Sequence, residues 1–210
     1  MPSSAEWDTG RLEAFSDGVL AIAITLLVLD IRLPEHAPGE LSAALRELSS
    51  DYLAYAVSFL IIGIMWAQHH GLFRLVARAD QGLLFVNVLL LAGISFLPFP
   101  THVVAQALRE EHTRGDVTAA LLLYGGTLTG IALLYNAVWH YIRLRGLLHP
   151  DLDPAVTTSL TRGYVAGPLL YAAAMLLAPL QAAASYVVWV VLALFFLRGV
   201  PAPRERRVAR

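Results

Sequence analysis

The sequence predicts an all-α integral membrane protein with six transmembrane helices in each subunit. Three observations carry that expectation. Of 210 residues, 57% are hydrophobic and only 15% charged, well below the roughly 25% charge usual in soluble domains. Mean hydropathy is +0.61. Long stretches at 52–73, 81–108, 117–142 and 163–197 hold no Asp, Glu or Arg.

A span of about 20 apolar residues crosses the hydrocarbon layer at 1.5 Å rise per residue, so each of the first three stretches suits one helix. The fourth is too long for one, and Pro179-Leu180-Gln181 reads as a turn that divides it. A first helix rich in Leu, Ile, Val and Ala precedes them all. The predicted spans are 12–32, 52–72, 81–101, 117–143, 160–178 and 183–198. They make one membrane domain over 11–198, between a polar lead at 1–10 and a basic tail at 199–210. An outer loop at 34–50 has room for a short helix over 40–48, and a second is expected over 102–116 after Pro98 and Pro100. Ala21-Ile22-Ala23 mimics a signal cleavage site, but no apolar stretch precedes it, so the first helix is expected to stay. The chain has no cysteine, which excludes disulfides and thiolate metal sites.

All fifteen basic residues are arginine. With a cytoplasmic N-terminus, eleven lie inside and four, Arg32, Arg46, Arg109 and Arg114, lie outside. That bias predicts both termini in the cytoplasm of a multi-pass protein of the cell's inner or plasma membrane. The outer loops carry Glu35, Glu40, Glu47, Asp51, Glu110, Glu111 and Asp116, a face that attracts cations weakly. The basic tail is short and lacks interleaved aromatics, so no nucleic-acid partner is expected.

The first helix opens with Arg11-x-x-x-Phe15-Ser16-Asp17. An ionisable group in a spanning helix costs roughly 2.5–3.5 kcal/mol, so these groups need partners. Topology offers them at the same depth. The second span ends in Trp66, His69, His70 and Phe73, the third carries Asn87 two turns in, and the fourth ends in Asn136, Trp139 and His140. We expect a polar belt in which Asp17 accepts bonds from histidine, indole or asparagine and fixes the first helix in rotation. A proton-sensing or relay role for His69, His70 or His140 is a second reading. A metal site is a third, opposed by the adjacency of His69 and His70 on a regular helix. No spacing of nucleophile, base and orienting group points to catalysis.

At 100° per residue, Arg11, Phe15, Gly18, Thr25, Leu26 and Leu29 all fall within about 60° of Ile22, whereas Asp17 points about 140° away. This apolar stripe can face lipid, another helix or a symmetry axis. Around an axis it would make a narrow constriction able to gate by dewetting, with Thr25 the one hydroxyl on the wall. Tyr124-Gly125-Gly126-Thr127, Gly163-x-x-x-Gly167 and Ala172–Ala174 read as small residues for close helix packing.

The run from Arg11 to Ile31, with Trp66, His69, His70 and Phe73 of the second helix and Asn87 and Phe96-Leu97-Pro98-Phe99 of the third, resembles the bacterial and archaeal relatives of transmembrane protein 175, the lysosomal potassium channel family. The resemblance covers the first three helices well and the last three in number and length only. It implies a homotetramer around a central pore lined by the first helix, passing potassium and other monovalent cations passively, with no cofactor and no enzymatic activity. On that resemblance the constriction falls on Ile22, with Leu26 and Leu29 above it, and potassium preference is associated with Thr25. The family motif carries over as Arg11, Phe15, Ser16 and Asp17, in a polar network with Trp66, His69, His70 and Asn87. No Thr-Val-Gly-Tyr-Gly loop exists in the chain, so selectivity by stacked carbonyls is excluded. A proton-coupled secondary transporter and a non-conducting scaffold are the alternatives; the interruptions at Pro98 and Pro179 lie near helix ends rather than the midplane expected of a transporter.

Overall fold

A computed structural model describes residues 9–108 and 113–197. Residues 1–8 of the polar lead, the whole basic tail expected at 199–210, and Arg109, Glu110 and Glu111 lie outside the described residues. The elements are α1 (Thr9–Leu26), a 3-10 turn (Leu27–Asp30), α2 (Leu41–Glu47), α3 (Ser49–Phe73), α4 (Gln81–Phe96), α5 (Pro98–Ala107), α6 (Arg114–Leu144), α7 (Pro154–Leu176) and α8 (Ala182–Leu197). Among the described residues, four stretches are long and apolar enough to cross a membrane: Thr9–Asp30, Ser49–Phe73, Gln81–Ala107 and Arg114–Leu144. Large apolar side chains stand exposed on every long helix, Phe85, Leu133, Leu169 and Val187 among them. Such surface suits lipid rather than water.

Local chemistry sets the boundaries. Thr113 caps α6 through a capping box with Asp116, which starts that helix three residues before the expected 117. Asp153 accepts from the Ala155 amide and Pro154 occupies the first turn of α7, so helix begins at 154 rather than 160. The third span is corrected too. Expected to end at 101, its helix continues to Ala107 after a break at Leu97. Pro98 ends one helix and starts another: it has no N–H to donate backwards, but none is needed in a first turn. Thr101 then donates its amide to the Leu97 carbonyl at 3.1 Å, and its hydroxyl donates to the same oxygen at 2.9 Å. The outer loop expected over 102–116 is shortened accordingly.

Helix α1 packs on α3 and α4, while α7 packs mainly on α6 and α8. The core between them includes the fully buried Tyr124, Trp139 and Trp189. Gly125 lets α8 approach: a Cβ there would strike the Trp189 ring, which lies 5.4 Å from the Tyr124 ring. Where α3 and α6 end, the loops that follow them pair, with Ala77 donating to Leu147 and His149 donating to Leu75.

Candidate functional site

The site is built where α1 crosses α3 and α4. Helix α1 buries Leu12, Ser16, Leu20 and Ala23, a stripe at three- and four-residue spacing. The hydroxyl at Ser16 is what the polar line grows from. Ser16 and Asn87 are 0% exposed and His69 is 1% exposed. Ser16 Oγ donates to the Leu12 carbonyl at 2.8 Å, so that oxygen must accept from Asn87, whose Nδ2 lies 3.0 Å away. The Asn87 carbonyl oxygen is thereby turned to His69, 2.9 Å from Nε2, and can only accept there, so Nε2 carries a proton. His69 also stacks on Phe73 at 4.3 Å. Every link has a defined donor, and three helices meet at one buried chain of bonds.

A second set of links flanks the first. Trp66 donates its indole N–H to Asp17 Oδ1 at 2.9 Å. One turn along each helix, His70 Nδ1 lies 3.7 Å from Glu13 Oε2, and Trp66 and His70 stack with centroids 6.2 Å apart. These are two rungs of an antiparallel ladder, Asp17 with Trp66 and Glu13 with His70; Asp17, Trp66 and His70 are exposed and Glu13 is half-buried. Ser16 rather than Asp17 therefore takes the buried place at the junction. Arg11 is exposed at the same end. Sequence reasoning missed Glu13, although its four-residue step from Asp17 matches the step from His70 to Trp66.

The expected belt is also smaller than the sequence implied. Asn136 serves another purpose: its Nδ2 donates to the Tyr164 carbonyl at 2.7 Å. Pro168 sits inside α7 and has no N–H, so the carbonyl four residues earlier loses its usual partner. Asn136 replaces that missing bond. Trp139 likewise turns to α7, donating to Thr161 Oγ1 at 3.0 Å. Depth alone grouped these residues with Asp17; rotation of α6 separates them. The adjacent His69 and His70 point to different partners, and among the described residues no group of three His, Asp or Glu is placed to hold a metal ion.

The opposite face of α1, continued by the 3-10 turn that follows it, stands exposed among the described residues. Ile22 is 60% and Leu29 65% exposed, and Phe15 and Leu26 are exposed too. Thr25 shares this face, and its hydroxyl donates back to the Ile22 carbonyl at 2.9 Å, which leaves its exposed oxygen able to accept. Beyond this face, His102 Nδ1 lies 4.0 Å from Asp30 Oδ1 at the end of the 3-10 turn.

Comparison with known proteins gives this geometry a context. The family model described as endosomal/lysosomal potassium channel TMEM175 matches residues 11–98, the part that contains the whole junction. A protein of Streptomyces collinus named a potassium channel is 42% identical over 209 residues, covering 96% of this chain and 98% of that one. A potassium channel of Chamaesiphon minutus is 41% identical over 193 residues, covering 90% and 93%. A crystal structure described as a lysosomal potassium-selective channel TMEM175 homolog from Chamaesiphon minutus superposes with a TM-score of 0.79 at 40% identity, covering 90% of this chain and 95% of that one. The chain belongs to the TMEM175 channel family.

Proposed function

We propose that this protein is a potassium-permeable channel formed by four copies of the chain, each with six spans, around an axis lined by α1. Helices α7 and α8 complete the six, and the arginine distribution supports a cell-membrane orientation with both termini in the cytoplasm. The observation that carries the reading is the one-sidedness of α1: its back is bonded to α3 and α4 through side chains, and its front, with Ile22, Leu26 and Leu29, is apolar and bare. Near-full-length relatives named potassium channels support the same reading. Ions pass partly hydrated. Ile22 forms the tightest ring, Leu26 and Leu29 extend it outward, and the rings close the path by excluding water. Thr25 supplies oxygen lone pairs at the one level where a dehydrating cation meets a polar group. Ser16, Asp17, Trp66, His69, His70 and Asn87 hold the rotation that keeps this face on the axis.

The test is cation flux from liposomes holding purified protein, in potassium against sodium. Wild type passes potassium preferentially. Ile22→Asn wets the ring and raises potassium flux by roughly tenfold, the effect of lowering a barrier by about 1.4 kcal/mol. Thr25→Val keeps the protein conducting but reduces the preference for potassium. Flux unchanged in Ile22→Asn would overturn the assignment of the constriction.

A further inference from the structure

On the side of the bundle away from α1, helices α6 and α7 leave an open groove of about 440 Å³. It has a charged end and a greasy end. Arg143 in the last turn of α6 and Arg162 on α7 line it, with Thr158 and Thr161 between them, and Val165 and Leu169 continue the wall along α7. No carboxylate lines it. Both arginines are exposed, and among the described residues neither makes an ion pair.

The placement of the two charges is what selects a ligand. Arg143 belongs to the turn where α6 leaves the bilayer on the side given to the cytoplasm by the arginine bias. Arg162 lies eight residues after the start of α7, about 12 Å along its axis, at the depth where headgroups give way to acyl chains. Val165 and Leu169 follow on the same side of α7, each exposed, and continue the groove into the hydrocarbon layer. The threonines do not compete for the charge. Thr158 donates its hydroxyl to the Pro154 carbonyl, and Thr161 donates to the Thr157 carbonyl while accepting from Trp139. The anion is left to the two guanidiniums, which bind phosphate oxygens through forked donors. A soluble anion would use the charged end and leave the apolar wall bare; a phospholipid uses both. Main packing partners of α7 are α6 and α8, not α1, so the groove lies away from the face assigned to the axis.

We propose that this groove is a binding site for one anionic phospholipid of the inner leaflet, its phosphodiester held by Arg143 and Arg162 and an acyl chain laid along Val165 and Leu169. The proposal rests on the membrane orientation argued above and not on ion conduction.

The test is lipid retention by the full-length protein. The protein is exchanged into nanodiscs of mixed phosphatidylglycerol and phosphatidylcholine, extracted in mild detergent, and the lipid left on each protomer is counted by mass spectrometry. Thermal melting is followed in parallel. Wild type keeps phosphatidylglycerol over phosphatidylcholine and melts higher with it. Each of R143Q and R162Q loses about fivefold in that preference, and the double variant about thirtyfold, the loss expected for removing interfacial charges. Arg74→Gln, an exposed arginine on the same side of the bilayer but outside the groove, keeps the preference. Inorganic phosphate added to phosphatidylcholine discs does not raise the melting point. The proposal falls if the variants retain phosphatidylglycerol as wild type does. It also falls if R74Q loses as much, which would assign the effect to the general field of that surface, or if inorganic phosphate alone stabilises equally, which would assign a free-anion site. Should the double variant not fold, the two single variants decide the matter on the same scale.

Discussion

Helices α1 and α7 are held in place by different sets of polar bonds. On α1 the bonds end on side chains: Ser16 accepts from Asn87, Asp17 accepts from Trp66 and Glu13 faces His70. On α7 the bond from Asn136 ends on a backbone carbonyl, that of Tyr164, made available by Pro168. A bond to a side chain is lost when its helix turns, because the side chain turns away with it. A bond to a proline-freed carbonyl repairs a gap in the backbone. The first arrangement specifies which face of a helix is presented, and the second keeps a broken helix in a bilayer. Helix α7 has one bond of each kind, since Trp139 also donates to the Thr161 hydroxyl, whereas α1 is fixed by side-chain bonds alone; the apolar face that those bonds present is the one we assign to the ion path.

The sharpest way to break this contrast is at Asn87. Asn87→Leu leaves the buried His69 N–H without an acceptor and removes the donor to Ser16. The expected cost is about 2–3 kcal/mol, the desolvation of an orphaned buried donor, read as a lower melting temperature in detergent. Because rotation of α1 is released as well, the ratio of potassium to sodium flux should fall. A variant that loses stability but keeps its flux ratio would show that rotation is set by apolar packing of Leu12, Leu20 and Ala23 instead.

A smaller effect sharpens the other half. Asn136→Leu removes the replacement bond to Tyr164 and should cost about 1–2 kcal/mol, the range for a hydrogen bond between membrane helices, with the flux ratio unchanged. Pro168→Ala restores an N–H at 168, so the Tyr164 carbonyl regains its own helical partner. In that background Asn136→Leu should cost much less. A double-mutant cycle isolates the coupling from the separate loss of packing at the buried Pro168. Additive effects would mean that Asn136 and Pro168 are unrelated.

What could be read from the sequence divides along the same line. The apolar stripe through Ile22, Leu26 and Leu29 is a property of one helix, and periodicity reaches it directly. The depth of Trp66, His69 and Asn87 follows from span lengths and direction, and the structure bonds Trp66 and Asn87 to α1 and His69 to Asn87. Rotation of one helix against another does not follow from either. Ser16 and Asp17 both lie off the stripe, and only the position of α4 decides that Ser16 is the buried one. Rotation of α6 took Asn136 out of the belt for the same reason. Pro168 held a readable signal: a proline within an apolar span frees a carbonyl, and an asparagine on a neighbouring span is suited to meet it. At Pro98, the residue that ends one helix also opens the next, so span length was underestimated.

The two regions are joined by Asp80, and there the expected effect is smallest and depends on pH. Asp80 caps α4 by accepting from the Leu83 amide at 2.8 Å. It also accepts from the Tyr141 hydroxyl at 3.0 and 3.1 Å and from Arg145 Nε at 3.3 Å, which ties the start of α4 to the end of α6. Partial burial alone would raise its pKa, but the Leu83, Tyr141 and Arg145 donors outweigh that and hold the carboxyl below its ordinary value. A lowered folded pKa means that the ionised form stabilises the fold. That contribution is complete above about pH 4, the range of a free aspartate, and is lost as pH falls through the lower folded value. Asp80→Asn should therefore melt below wild type by about 0.5–1 kcal/mol at neutral pH, with the gap closing as the medium is acidified below about pH 4. Gly82→Ala provides an independent check, because a Cβ at 82 would collide with the Tyr141 hydroxyl and push it off the carboxylate. If G82A leaves the acid-dependent part of the stability intact, Tyr141 is not one of the groups that depress Asp80, and the link between the halves of the molecule reduces to the exposed Arg145 pair.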